Sequence, residues 1–262
     1  MPVIDVVGAI LRRDRAVTIA GLCLAIGLAW IYLILMPMPD NGMGGMVMLE
    51  PMPVAWTVYY ALLMFVMWVV MNAAMMLPGA APAILLVAAL ARHQDARGKA
   101  PVSAGAFALG YLAVWTGFSA LAVALQWRLD QMALMDSNIA MASVKLAGTL
   151  LVAAGVYQWT PLKRTCLTHC RSPLDVITRY WLPGRVGALS AGVRHGLYCA
   201  GCCGFLMALL FVGGVMNLAW VAAVSVLVLG EKLAPGGQLL SWLIGVGLVI
   251  WGSLVLFNAV GV

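Results

Sequence analysis

The sequence predicts an all-α, polytopic membrane protein of about seven transmembrane spans. Three observations point there. Of 262 residues, 64% are hydrophobic and 9% charged, where an average soluble domain has about 45–50% apolar and about 25% charged residues. The mean hydropathy is +1.02. The apolar residues run in long unbroken stretches, not in the alternation of an outer-membrane barrel strand. This composition excludes a soluble enzyme, a disordered chain and a nucleic-acid-binding domain as first readings.

The spans follow in order. Arg12, Arg13 and Arg15 precede an apolar run, Ala16 to Met36. At about 1.5 Å per residue it crosses a core of about 30 Å. It is long for a signal-peptide core and no cleavage site follows it directly, so it is expected to be retained. The segment 37–53 is a Met-rich outer loop with Asp40 and Glu50 and no Lys or Arg. The second apolar stretch, 54–91, contains Pro78 and Pro82. It is too long for one straight span, so it is either broken at Pro78–Pro82 or a long tilted helix. Val102 to Leu125 and Ile139 to Gln158 are the third and fourth spans. A polar segment, 127–138, lies between them. The segment 161–185 is a basic, Cys- and His-containing loop. Two or three further spans follow, at about Ser190–Val212, about Val215–Leu229 and Gln238–Phe257.

Charge orients this single membrane domain of residues 1–262. Three basic residues precede the first span, three lie in 92–99 and five in 163–185, so these segments hold 11 of the 15 Lys and Arg. With seven crossings they share one side. The positive-inside rule makes that side cytoplasmic, with the N-terminus inside and the C-terminus outside the cell membrane.

Soft metal ligands are concentrated in four places. Met36, Met38, Met43, Met46, Met48 and Met52 crowd the outer loop and its edges, and the chain holds 17 Met in all. Thioethers select Cu(I) and survive an oxidising compartment. As an alternative, Met can serve as apolar filler at a membrane surface. In the second span Met64, Met67, Met71 and Met75 fall on one helical face, as packing or as a ligand ladder. His195, Cys199, Cys202 and Cys203, in HGLYCAGCC, share a face that Met207 continues. Thiolates plus an imidazole there suit Cu(I) or Zn(II). Cys166, His169 and Cys170 form a second set on the reduced, cytoplasmic side, where thiols read as metal-binding or redox-active. Cys23 reads as a packing residue. Glu231 and Lys232 close the sixth span as a candidate proton or metal carboxylate, or as an interfacial ion pair. Asn72 and Asn217 are candidate buried polar partners. Gly192-x3-Gly196 and Ser241-x3-Gly245 suit close helix packing. No phosphate-binding, dinucleotide or hydrolase motif is present.

The stretches MWVVMNAAMMLPGAAP and HGLYCAGCCGFLMALLFVGGVMNLAW, with Glu231-Lys232, resemble a bacterial family of predicted metal-binding integral membrane proteins of unknown function. The resemblance implies an inner-membrane bundle with a metal site. Gly204 departs from the Trp expected after the paired Cys. More distantly, Gly192 to Gly204 is similar to a helix of sulfite-exporter-like and cytochrome-biogenesis-like transporters, with Tyr198-Cys199 in place of Pro-Cys.

The expected function is therefore metal handling, not catalysis. Copper is the favoured ion and zinc the alternative, bound by Cys, His and Met and translocated or relayed. The expected partners are the lipid bilayer, the metal ion and a metallochaperone or membrane-complex partner, with no nucleic acid. Two other classes stay open: a transmembrane thiol or electron carrier, and a non-catalytic assembly subunit.

Overall fold

Proline and glycine decide where the helices of this chain begin, end and touch. The computed structural model describes residues 2–35, 56–95, 103–135, 140–141, 143–172 and 184–260. The Met-rich segment 37–53 lies outside the described residues. Those described are all-helical: α1 (Pro2–Leu35), α2 (Val58–Asp95), α3 (Ala104–Gln131), α4 (Val144–Tyr157), α5 (Pro161–Arg171), α6 (Gly184–Ala208), the single turn α7 (Leu210–Gly213), α8 (Leu218–Leu233) and α9 (Gly237–Val260). Four starts carry side-chain caps. Ser103, Ser143, Thr160 and Asn217 accept from the backbone N–H three residues on. Each cap satisfies a donor that a helix start leaves orphaned. Asn217 is thus a helix cap, not a buried partner within the bundle.

Five helical segments are long and apolar enough to cross a membrane: Ala16–Leu35, Val58–Ala91, Ala104–Gln131, Gly184–Gly213 and Gly237–Asn258. The fourth and sixth expected spans are helices of 14 and 16 residues. A core of about 30 Å takes about 20 residues, so length alone does not make these two into spans.

Two expectations from sequence are corrected. The stretch 54–91 is not broken: α2 runs through Pro78 and Pro82 as one 38-residue helix. Each proline removes one N–H and crowds the carbonyl four residues back. In a bundle, neighbouring helices compensate for such losses. α3 anchors this part of α2 by a separate bond, from the Tyr111 hydroxyl to the Met76 carbonyl at 3.1 Å. The basic segment 161–185 is not simply a loop either. Its first part is α5, started by the Thr160 cap and Pro161, a residue suited to the first helical turn.

α1 packs on α2, α2 on α3, α3 on α6, and α5 on α6, while α4 packs on α9. The α3–α6 contact is backbone against backbone. A methyl group at Gly192 would collide with the Phe107 carbonyl, so only glycine permits the approach. A polar seam runs between α2 and α3: Trp56 donates to Asp130, Trp68 to Gln126 and Asn72 to Ser119. Each bond pairs a donor that is costly to bury alone, while Asn72 Oδ1 keeps no partner among the described residues.

Candidate metal centre

α6 supplies the main donor face. His195, Cys199, Cys202, Cys203 and Met207 are all buried along it, as 3.6-residue periodicity requires. α5 contributes Cys166 and Cys170, one turn apart and also buried. Packing α5 on α6 brings the two motifs together. The Cys166 sulfur sits where a side chain at Gly201 would be, 2.7 Å from that position. Cys170 lines a small cavity together with Lys232, close enough to Cys199 and Cys202 for those groups to perturb its thiol. The Cys202 thiol donates to the Cys199 carbonyl at 3.2 Å, and the Cys202 and Cys203 sulfurs are 3.2 Å apart. All six cysteines are free thiols, and Cys23 is exposed.

Three further residues complete the cluster. Lys232 Nζ lies 2.9 Å from Cys199 Sγ and 3.5 Å from Met76 Sδ. The Tyr111 hydroxyl is 3.0 Å from Cys199 Sγ. Glu231 points elsewhere and pairs with Lys163 at 2.6 Å, both side chains being buried. Lys163 also donates to the Cys202 carbonyl. Arg171 holds the end of α8 by donating to the carbonyls of Glu231 and Ala234 at 3.0 and 2.6 Å. The buried Lys163 and the last residue of α5, Arg171, thus fix its position over the cluster.

The other expected ligands are placed differently. The His195 ring lies 5.8 and 5.7 Å from the rings of Phe107 and Tyr111. Both its nitrogens are buried without a hydrogen-bond partner among the described residues. His169 stacks on Tyr198 at 4.7 Å, and its Nδ1 pairs with the Thr165 carbonyl. Met67, Met71 and Met75 are buried in the core, while the α2 methionine beside Lys232 is Met76. On α5, burial raises the Cys166 thiol above its ordinary range. Proximity to Cys199 raises Cys170 further.

Among the described residues, no group of three or more His, Cys, Asp or Glu stands ready-made to hold a metal ion. The thiols contact one another instead. Two thiolates bound tetrahedrally at about 2.3 Å lie about 3.8 Å apart, so loading would part Cys202 and Cys203 by roughly 0.5 Å. The set is chemically suited to a soft ion: four buried thiols and a thioether, with the nearby Glu231 carboxylate turned away to Lys163.

Sequence reasoning missed Met76, Tyr111 and the role of Lys232. One signal was available: consecutive helical residues do not share a face, so Glu231 and Lys232 could not serve one site.

Buried thiols and a thioether gathered between apolar helices are chemistry that soft metal ions favour. The family model of the PpoB2 copper chaperones matches residues 65–255, and this chain belongs to that family. No curated protein matches the chain, and no solved structure does. The comparisons show no likeness to sulfite exporters.

Proposed function

We propose that the chain is a membrane-embedded chaperone that holds Cu(I) on two thiolates drawn from the cluster of Cys170, Cys199, Cys202 and Cys203, the others staying protonated, with Met76 as a thioether donor. One observation carries the reading: α5 packs its buried Cys166 and Cys170 onto α6, where the buried Cys202 and Cys203 sulfurs meet at 3.2 Å. Thiolates hold Cu(I) and thioethers bind it as neutral donors. The buried α2 methionines Met64, Met67, Met71 and Met75 then form a ladder leading to Met76, along which the ion is relayed. His195, with both nitrogens unpaired, is a reserve donor one turn from Cys199, and Met207 extends the same face. In this reading α4 and α8 also cross, giving seven spans with the N-terminus cytoplasmic and the C-terminus outside. A partner metallochaperone or membrane complex docks over α5. The chain performs no catalytic step, and zinc is the competing ion.

The test is titration of anaerobically purified protein in detergent with Cu(I) against a colorimetric chelator. The wild type should bind about one Cu(I) per chain. The Cys199→Ser/Cys202→Ser/Cys203→Ser variant should lose about 100-fold or more in affinity, or about 2.7 kcal/mol. A folded wild type that binds no copper, or a variant of unchanged affinity, overturns the reading. A second reading, a thiol or electron carrier, draws on the 3.2 Å contact between Cys202 and Cys203. Thiol trapping in cells that never captures an oxidised cysteine pair removes it.

A further inference from the structure

We propose that Lys232 is the counter-cation of the bound metal complex, and that its charge makes the cluster select a monovalent soft ion over a divalent one. This rests on the metal-binding reading above and adds to it the residue that sets which ion is held.

Lys232 is 6% exposed. A lysine near a helix end ordinarily extends its ammonium to the interface. This one turns inward instead, to 2.9 Å from Cys199 Sγ and 3.5 Å from Met76 Sδ. The packing is shaped to admit it. A Cβ at Gly79 would lie 2.7 Å from Lys232 Cδ, so α2 carries a glycine where the lysine stem passes. A small cavity of about 30 Å³, lined by Gly79, Pro82, Ala83, Cys170, Arg171, Lys232 and Leu233, adjoins it.

Among the described residues, no carboxylate pairs with this ammonium. The one salt bridge there is Lys163–Glu231, which uses the neighbouring acid. The other cation at the cavity, Arg171, is engaged by the carbonyls of Glu231 and Ala234. The buried charge therefore faces sulfur, with the Tyr111 hydroxyl as the other polar group on the same Cys199 thiol. A buried ammonium is costly unless an opposite charge compensates it.

The charge count gives the selection. The thiolate, not the thiol, ligates metal, and binding releases the thiol proton to solvent. A monovalent ion on two thiolates carries one net negative charge, which Lys232 neutralises. A divalent ion on the same two thiolates is already neutral, and Lys232 leaves the site with one buried positive charge. The divalent ion regains neutrality only by deprotonating a third thiol. Without the lysine the balance reverses: the monovalent complex is left anionic and the divalent one neutral. In a medium of low dielectric such differences dominate selectivity.

The experiment compares Cu(I) and Zn(II) affinities of the full-length wild type and of Lys232→Met, each by chelator competition under anaerobic conditions. The expected result is a fall of at least tenfold in the ratio of Cu(I) to Zn(II) affinity. Lys232→Arg, which keeps the charge, should retain the wild-type ratio to within about threefold. Elution profile and melting temperature establish folding. If Lys232→Met does not fold, Lys232→Gln carries the same comparison. An unchanged ratio overturns the proposal, as does a parallel loss for both ions, which is what a merely structural lysine would give. A wild type that binds neither ion overturns the metal-binding reading and this proposal together. Normal wild-type binding with an indifferent Lys232→Met overturns this proposal alone.

Discussion

Lys163 of α5 and Glu231 of α8 form a buried ion pair at 2.6 Å, and the same ammonium donates to the Cys202 carbonyl of α6. One side chain thus joins three helices at the edge of the thiol cluster. The pair acts with Arg171, which bonds the end of α8, to hold α5 and its cysteines on α6.

Breaking this pair from one side should be costly. Lys163→Met leaves a buried carboxylate whose second oxygen already lacks a partner among the described residues. The expected loss is about 3–5 kcal/mol, read as a lowered melting temperature in detergent. Alkylation of Cys170 should accelerate as α5 loosens. The double variant Lys163→Met/Glu231→Leu should recover part of the stability, since it leaves no uncompensated charge.

The two cysteines of α5 should differ in metal binding. Cys170→Ser is expected to weaken Cu(I) by about tenfold or more, or at least 1.4 kcal/mol. Cys166 lies against Gly201, and the His169 ring is taken up by Tyr198 and Thr165. Cys166→Ser and His169→Ala should therefore stay within about threefold of wild type. Chelator competition on the purified variants measures all three.

Methionine position should separate affinity from transfer. Met76→Leu keeps the volume and removes the sulfur beside Lys232, so equilibrium Cu(I) affinity should fall severalfold. Met71→Leu, deeper in α2, should leave affinity within about threefold and slow metal loading, measured by stopped-flow mixing with a Cu(I)–chelator complex. Leu-for-Met exchange in a core typically costs less than about 1.5 kcal/mol, so neither variant should unfold.

The α3–α6 contact tolerates no added carbon. Gly192→Ala would place its methyl group against the Phe107 backbone, which cannot turn aside as a side chain can. A loss of about 3 kcal/mol is expected. It should appear as a lower melting temperature and a weaker metal site, because α6 carries the main donor face. Gly21, whose added Cβ meets nothing within 4 Å, is the control and should accept alanine without loss.

Local pattern and chain composition determined much of this protein on their own. Apolar run length announced the helices, because a backbone in lipid must satisfy its own hydrogen bonds. The spacing of His195, Cys199, Cys202 and Cys203 placed them on one face, because helical periodicity is a property of the segment alone. The glycines at 192 and 196 marked a close helix contact for the same reason. What only the tertiary structure decided is long-range. Cys170 joins Cys199 because α5 folds back onto α6, and no local period encodes that return. Lys232 turns inward because Gly79, more than 150 residues earlier, leaves it room, while Glu231 turns to Lys163. α2 continues through Pro78 and Pro82 as one helix packed between α1 and α3, whereas proline read locally signals a break. Periodicity names the face a residue occupies, and packing between distant segments decides what that face meets.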